Sequence, residues 1–263
     1  MIDPLRTVRE HRAGIGELDF HTPDPGAHML RVRRQSNEVQ DGETPRDARV
    51  REQLDGLVVN MELTLISIIQ GVALYFLVES SRGMIVGGEF ERWPYIVVAL
   101  ITIFLFWSRS LLHTFTVIGW PLEFGHNFIY IACTLVEAVM FTQLANLRSW
   151  YAVGIAYGLM IWFLFLFDLE MIHRLRRSSS EDAAVLCDLL ERDQRLNLRV
   201  LVPGLVVFNA LAWLAIRLWP AVLLDQGWHV VIGCMQLIGG ALYLRYVLRF
   251  FRRIAPMIVQ WRR

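Results

Sequence analysis

A chain of 263 residues that is 55% hydrophobic and 12% aromatic, with a mean hydropathy of +0.40, carries more apolar surface than a water-soluble core of that length disposes of. The formal net charge of +1, with arginine as the sole basic residue type apart from histidine, gives no support to nucleic-acid binding by bulk charge. Cys133, Cys187 and Cys234 form no CxxC pair, which argues against a disulfide framework.

In chain order, residues 1–43 mix Pro4, Pro23, Pro25, glycines and both charge signs without sustained periodicity, the pattern of a flexible tail. They lack an apolar run followed by a small-residue cleavage site, so the first membrane helix is expected to direct insertion. Thr44, Pro45 and Asp47 then supply a hydroxyl cap, a proline at the first helical position and an acid in the first turn, and so predict a helix start. Six apolar runs follow, at 57–78, 93–118, 128–145, 150–172, 200–218 and 228–248. Each is long enough to approach or cross a hydrocarbon core of about 30 Å at about 1.5 Å rise per residue. Trp150, Trp219 and Trp228 stand at span ends, as in an interfacial aromatic belt.

Arginine placement predicts orientation. With the N-terminus inside, Arg46, Arg49 and Arg51, the 173–199 loop with six arginines, and the Arg-rich tail 249–263 all lie in the cytoplasm. The opposite face keeps Arg82, Arg92, Arg148 and Arg217. The expected fold is therefore an all-α polytopic bundle of a bacterial inner (cytoplasmic) membrane, 44–172 plus 200–248, with six transmembrane helices and both termini in the cytoplasm. Within the 173–199 loop, Ser179 or Ser180 caps an amphipathic helix over 180–197. That helix is expected to pack under the bundle, lie on headgroups or bind a partner.

Ionisable groups inside apolar spans are the most informative residues, because each needs a partner, water or a function. Asn60, Thr64, Ser67 and Gly71 recur at i, i+4, i+7 and i+11, a polar and small stripe along span one. Glu62 points away from that stripe by about half a turn, at about 100° per residue, and reads as an interfacial or intersubunit contact. Arg109 and His113 are one turn apart on span two. His126, Tyr130, Cys133 or Thr134, and Glu137 form a ladder on span three, with Glu137 about 15 Å deep and near the midplane. Two readings stay open for Glu137: the acid of a water-accessible ion path with Arg109 or His113 as counter-charge, or a carboxyl closed inside the bundle, protonated or paired with Arg109.

Two E-x-x-H pairs, Glu123 with His126 and Glu170 with His173, place a carboxylate and an imidazole on one helical face, as in di-iron bundles. No further His cluster reinforces them, so no metal or other cofactor is expected, His126 and His173 being the residues that a metal would use. No P-loop, GxGxxG or GxSxG motif is present, and no catalytic residue is assigned.

Six spans with cytoplasmic termini, the stretch from Trp107 to His113 late in span two, and Asn127 opening span three make residues 57–145 distantly similar to the six-helix potassium channels of lysosomes and bacteria. The first helix of that family carries a Phe-Ser-Asp signature. Here the corresponding region reads Asn60-Met61-Glu62-Leu63-Thr64-Leu65-Ile66-Ser67, so the family's pore residues and potassium selectivity are not carried over. What the resemblance implies is an oligomeric channel.

The function expected is thus an oligomeric ion channel or pore with an acidic midplane site on span three, its candidates being Glu137, Tyr130, His126, Arg109, His113, Asn60, Thr64 and Ser67. The alternatives are a non-conducting anchor, sensor or partner subunit, meeting a cytoplasmic protein or small ligand through the N-terminal tail or the 180–197 helix, and an intramembrane metalloenzyme. The lipid bilayer and further copies of the chain are the expected partners, and nucleic acid is not.

Overall fold

The computed structural model describes residues 45–116, 124–178 and 181–261. The 1–43 tail, Thr44, the Trp120-Pro121 turn, Glu123, the Ser179 and Ser180 cap, Arg262 and Arg263 lie outside the described residues. Among the described residues seven α-helices follow one another: α1 (Pro45–Val86), α2 (Trp93–Thr116), α3 (Phe124–Thr142), α4 (Leu147–Ser178), α5 (Glu181–Leu196), α6 (Val202–Leu218) and α7 (His229–Trp261). The chain divides into two units, Met1–Glu52 and Gln53–Arg263. The described part of the first is the opening of α1, with Pro45 at its first position as the sequence predicts.

By length and composition this is a multi-span helical membrane protein. Gly56–Val86, Phe90–Thr116, Leu147–Arg177, Ala184–Leu218 and His229–Ile258 are long and apolar enough to cross a bilayer. Five of the six predicted spans coincide with these segments; the third, 128–145, falls on α3, whose 19 residues are not among them. Ile68, Leu135, Phe163, Leu211, Ile238 and Leu242 are each more than half exposed, an apolar surface far larger than water tolerates and one that lipid covers at no cost.

Local signals set the turns. After α1, Glu89 N–H donates to the Met84 carbonyl (2.9 Å) and Gly88 N–H to that of Ile85 (3.3 Å), with Gly88 at φ +67°, the glycine stop that satisfies the last carbonyls of a helix. Ahead of α4, the Asn146 side-chain oxygen accepts from Ser149 N–H at 3.2 Å and caps the helix. These two turns lie together, since Arg92 Nη1 donates to the Leu144 carbonyl at 3.3 Å.

α4 is the central helix, packed on α3, α5 and α6, while α2 lies along α7. Gly154 and Gly158, four residues apart, let α6 approach: a Cβ on Gly158 would sit 2.7 Å from Val206 Cγ2, and one on Gly154 2.8 Å from Asn209 Oδ1. Small residues at that spacing are how membrane helices come close enough for dispersion to hold them. The main core gathers Tyr95, Phe106, Tyr130, Phe141 and Trp150; a second, at the arginine-rich end, gathers Leu112, Ile172, Leu186, Leu190, Ile254 and Ile258.

That second core seats α5 under the bundle, the first of the placements expected for the 180–197 helix. Its surroundings differ from a loop, however. α4 stays helical to Ser178, and α5 runs through a turn of π-helix, Asn197–Leu201, into α6 without leaving helical backbone. Arginines end an apolar run without ending a helix, because Arg is among the better helix formers.

Candidate functional site

The ladder read from span three is one buried face of α3. His126, Tyr130, Cys133, Thr134 and Glu137 are all buried, Glu137 completely at 0% exposure. The reason is the helical period: these positions recur every three or four residues and face α2 and α4, while Phe128, Leu135 and Val139 on the opposite side face outward. Gln70 Nε2 on α1 donates to Tyr130 Oη at 3.1 Å, and the Phe106 ring of α2 stacks on Tyr130 with centroids 4.7 Å apart. Neither carboxyl oxygen of Glu137 has a hydrogen-bond partner among the described residues.

At the arginine-rich end of this ladder three helices converge on one carboxylate. His126 Nε2 on α3 lies 3.2 Å from Asp168 Oδ1 on α4, and His113 Nδ1 on α2 lies 3.6 Å from the same oxygen. The two imidazoles stack nearly parallel, centroids 4.2 Å apart. All three side chains are buried, and their donor atoms fall within 4.8 Å of one another, the compactness that a metal ion's ligands require. Asn127, next to His126, donates from Nδ2 to Glu62 Oε1 at 2.5 Å and so ties α1 to the same corner.

A second polar group adjoins the first. Arg109 Nη1 donates to Asp193 Oδ2 at 2.6 Å and Nη2 to Gln194 Oε1 at 2.9 Å, with the guanidinium over the Phe165 ring. Asp193 is held in turn by Tyr246 Oη at 2.7 Å, and Tyr243 Oη donates to Asn197 Oδ1 at 2.7 Å within the π turn. Gln194 joins the two groups: its Nε2 donates to the Phe165 carbonyl at 3.0 Å and, more weakly, to Asp168 Oδ2 at 3.4 Å. A cavity of about 20 Å³ lies between them, lined by Arg109, His113, Thr116, Asp168 and Asp193 among others. A larger one of about 360 Å³ opens between α2, α4, α6 and α7, mostly apolar, with Arg109, Asn209, Gln236 and Tyr243 in its wall. Glu137 is not part of that wall.

The remaining sequence candidates lie elsewhere. Asn60, Thr64 and Ser67 are exposed; Thr64 and Ser67 donate back to the Asn60 and Leu63 carbonyls of their own helix. Glu62, read as turned away from that stripe, points into the bundle, as Gln70 on the same helix does. His173 is separate from His126: its Nε2 lies 3.1 Å from Glu191 Oε1, a carboxylate that also meets Arg176 and Arg195. Arg109 pairs with Asp193 and not with Glu137.

Sequence reading passed over Asp168, Asp193, Gln194 and Asn197. Asp168 had a signal, being an acid inside the apolar run 150–172. The other three fall at i, i+1 and i+4 from the end of α5 into the π turn, where a polar residue is ordinary until its partner is known. Comparison with protein-family models, curated proteins and solved structures returns no match.

Proposed function

We propose that the chain is the subunit of an oligomeric membrane ion channel, a transport protein and not an enzyme, in which a small cation or proton moves along the inner face of α3 from His126 past Tyr130 to Glu137. The observation that carries this reading is Glu137 itself: a fully buried carboxyl at the inner end of a polar ladder, both oxygens without a partner among the described residues. An ionised side chain at that depth costs at least a few kcal/mol, and proton or cation occupancy is what relieves it. Opening the path requires the Phe106 ring to leave its stack on Tyr130.

Six crossings with both termini on the arginine-rich side fit this role. α3 of 19 residues spans about 28 Å at about 1.5 Å per residue, close to the core thickness. Its ends also match those of its neighbours. His126 meets the end of α2 at His113 and the late part of α4 at Asp168, while Leu144, past its other end, meets the start of α2 at Arg92. The exposed stripe of Asn60, Thr64 and Ser67 on α1 is the surface we assign to contacts between subunits.

The test is ion flux from liposomes holding the purified protein, with proton, sodium and potassium gradients imposed in turn. Glu137→Gln is expected to lower the flux at least tenfold, about 1.4 kcal/mol of barrier. Flux that is absent for every ion, pH and voltage, or unaltered in Glu137→Gln, overturns the proposal.

A further inference from the structure

We propose that His113, His126 and Asp168 form a binding site for one first-row transition-metal dication of the zinc class, set between α2, α3 and α4. This goes beyond conduction: it shares His126 with the mouth of the proposed path, but it rests on the donor atoms at one corner of the bundle and not on Glu137.

The donor chemistry fits. Two neutral imidazoles and one carboxylate are a ligand set that zinc and its neighbours take in sites that keep an open position. Ligands about 2.0–2.1 Å from a tetrahedral ion lie about 3.3 Å from one another, by the geometry of the tetrahedron. The observed separations from Asp168 Oδ1, 3.2 Å to His126 Nε2 and 3.6 Å to His113 Nδ1, bracket that value. The three groups come from three helices, so the spacing is set by tertiary packing and not by a local turn.

Three further features belong to such a site. Asp168 Oδ1 faces both imidazoles yet has no hydrogen-bond partner among the described residues, an acceptor left open in a buried place. Its sister oxygen is turned toward Gln194 Nε2, which fixes the carboxylate plane as outer-layer groups do around metal ligands. The cavity of about 20 Å³ beside His113 and Asp168 has room for one water, the fourth ligand of an open tetrahedral site.

The charge balance is also favourable. Arg109, one turn from His113 on α2, is paired with Asp193 at 2.6 Å, which offsets much of its repulsion of a dication. Glu62, bound through Asn127 beside His126, adds a negative charge at the same corner. His173 is excluded as a ligand because Glu191 engages it.

The experiment uses the full chain, purified in detergent with a tag free of histidine, stripped with chelator and titrated with Co²⁺ and then Zn²⁺. One equivalent of Co²⁺ is expected to bind with the strong visible absorption of a tetrahedral N/O site and to be displaced by Zn²⁺. His113→Ala, His126→Ala and Asp168→Asn should each weaken binding at least tenfold, while His173→Ala and Glu137→Gln leave it unchanged. Retained Co²⁺ binding in a Glu137→Gln protein that has lost flux separates this site from the conduction reading. Because a buried variant risks misfolding, the X-ray absorption spectrum of the zinc-loaded wild-type protein gives an independent answer, with two imidazole nitrogens expected. The proposal is overturned if the wild-type protein takes up no metal, if His173→Ala loses as much as His126→Ala, or if the spectrum shows no imidazole.

Discussion

Arg109 and Asp193 form a buried ion pair, their side chains 9% and 3% exposed and 2.6 Å apart. Removing one member leaves the other charged and desolvated, at a cost of about 3–5 kcal/mol, whereas replacing both with apolar groups is often neutral. Asp193→Asn is therefore expected to lower the thermal midpoint in detergent steeply, and the double variant Arg109→Met with Asp193→Leu to restore most of it. Equal melting of Asp193→Asn and the wild type would sink this assignment. The partnership also marks where sequence reading stops. A helical period puts Arg109 and His113 on one face of α2, and Glu137 on the face of His126, but nothing in the chain reports that residue 193 lies opposite residue 109. Pairing across elements depends on how helices are shifted along one another, and that shift is decided by packing at many positions at once. Asp168 was accessible to reading as an acid in an apolar run, as His113 and His126 were on their own helices; that the three converge was not.

At the scale of helices, apolar runs located five helices long enough to cross a bilayer but not the helix ends. Hydropathy detects where lipid stops, and the helices go on past it: α4 carries Arg174, Arg176 and Arg177 while still helical, and α5 passes into α6 through the π turn at Asn197–Leu201. That turn places Asn197 where it reaches both Asp193 and Tyr243, in keeping with the tendency of π turns to occur where side chains must be re-aimed. Contact between helices has its own sequence trace in Gly154 and Gly158. Gly158→Ile should push α6 from α4, because its Cβ alone would come within 2.7 Å of Val206 Cγ2, and overpacking of this kind costs about 1–3 kcal/mol. Gly204→Ala on α6 is the matched control: its Cβ meets nothing within 4 Å, and helix propensity favours alanine by about 1 kcal/mol. Thermal melts should thus fall for the first variant and hold or rise for the second; the same fall in both would mean that backbone effects, not the α4–α6 approach, decide stability here.

For the molecule as a whole, the decisive question is whether α3 crosses, because it sets the parity of everything after it. With six crossings, the turns near Gly88, Ala145 and Gln226 lie outside, and Arg177 and Arg252 inside with the bulk of the arginines, as the excess of positive charge on the cytoplasmic side requires. If α3 instead stayed on one side, Ala145 would lie inside and α4 would carry Arg177 to the outside. The contact between Arg92 and the Leu144 carbonyl opposes that arrangement, since it brings the α1–α2 and α3–α4 turns together. In a protein with Cys133, Cys187 and Cys234 replaced by alanine, single cysteines at these five positions, four exposed and Gly88 half-buried, resolve the matter. A membrane-impermeant maleimide applied to intact cells is expected to label Gly88→Cys, Ala145→Cys and Gln226→Cys, and to reach Arg177→Cys and Arg252→Cys after the membrane is broken. Labelling of Gly88→Cys without Ala145→Cys would remove the sixth crossing, and with it the Glu137 path, since an α3 that does not traverse the bilayer has no midplane at which to hold an ion.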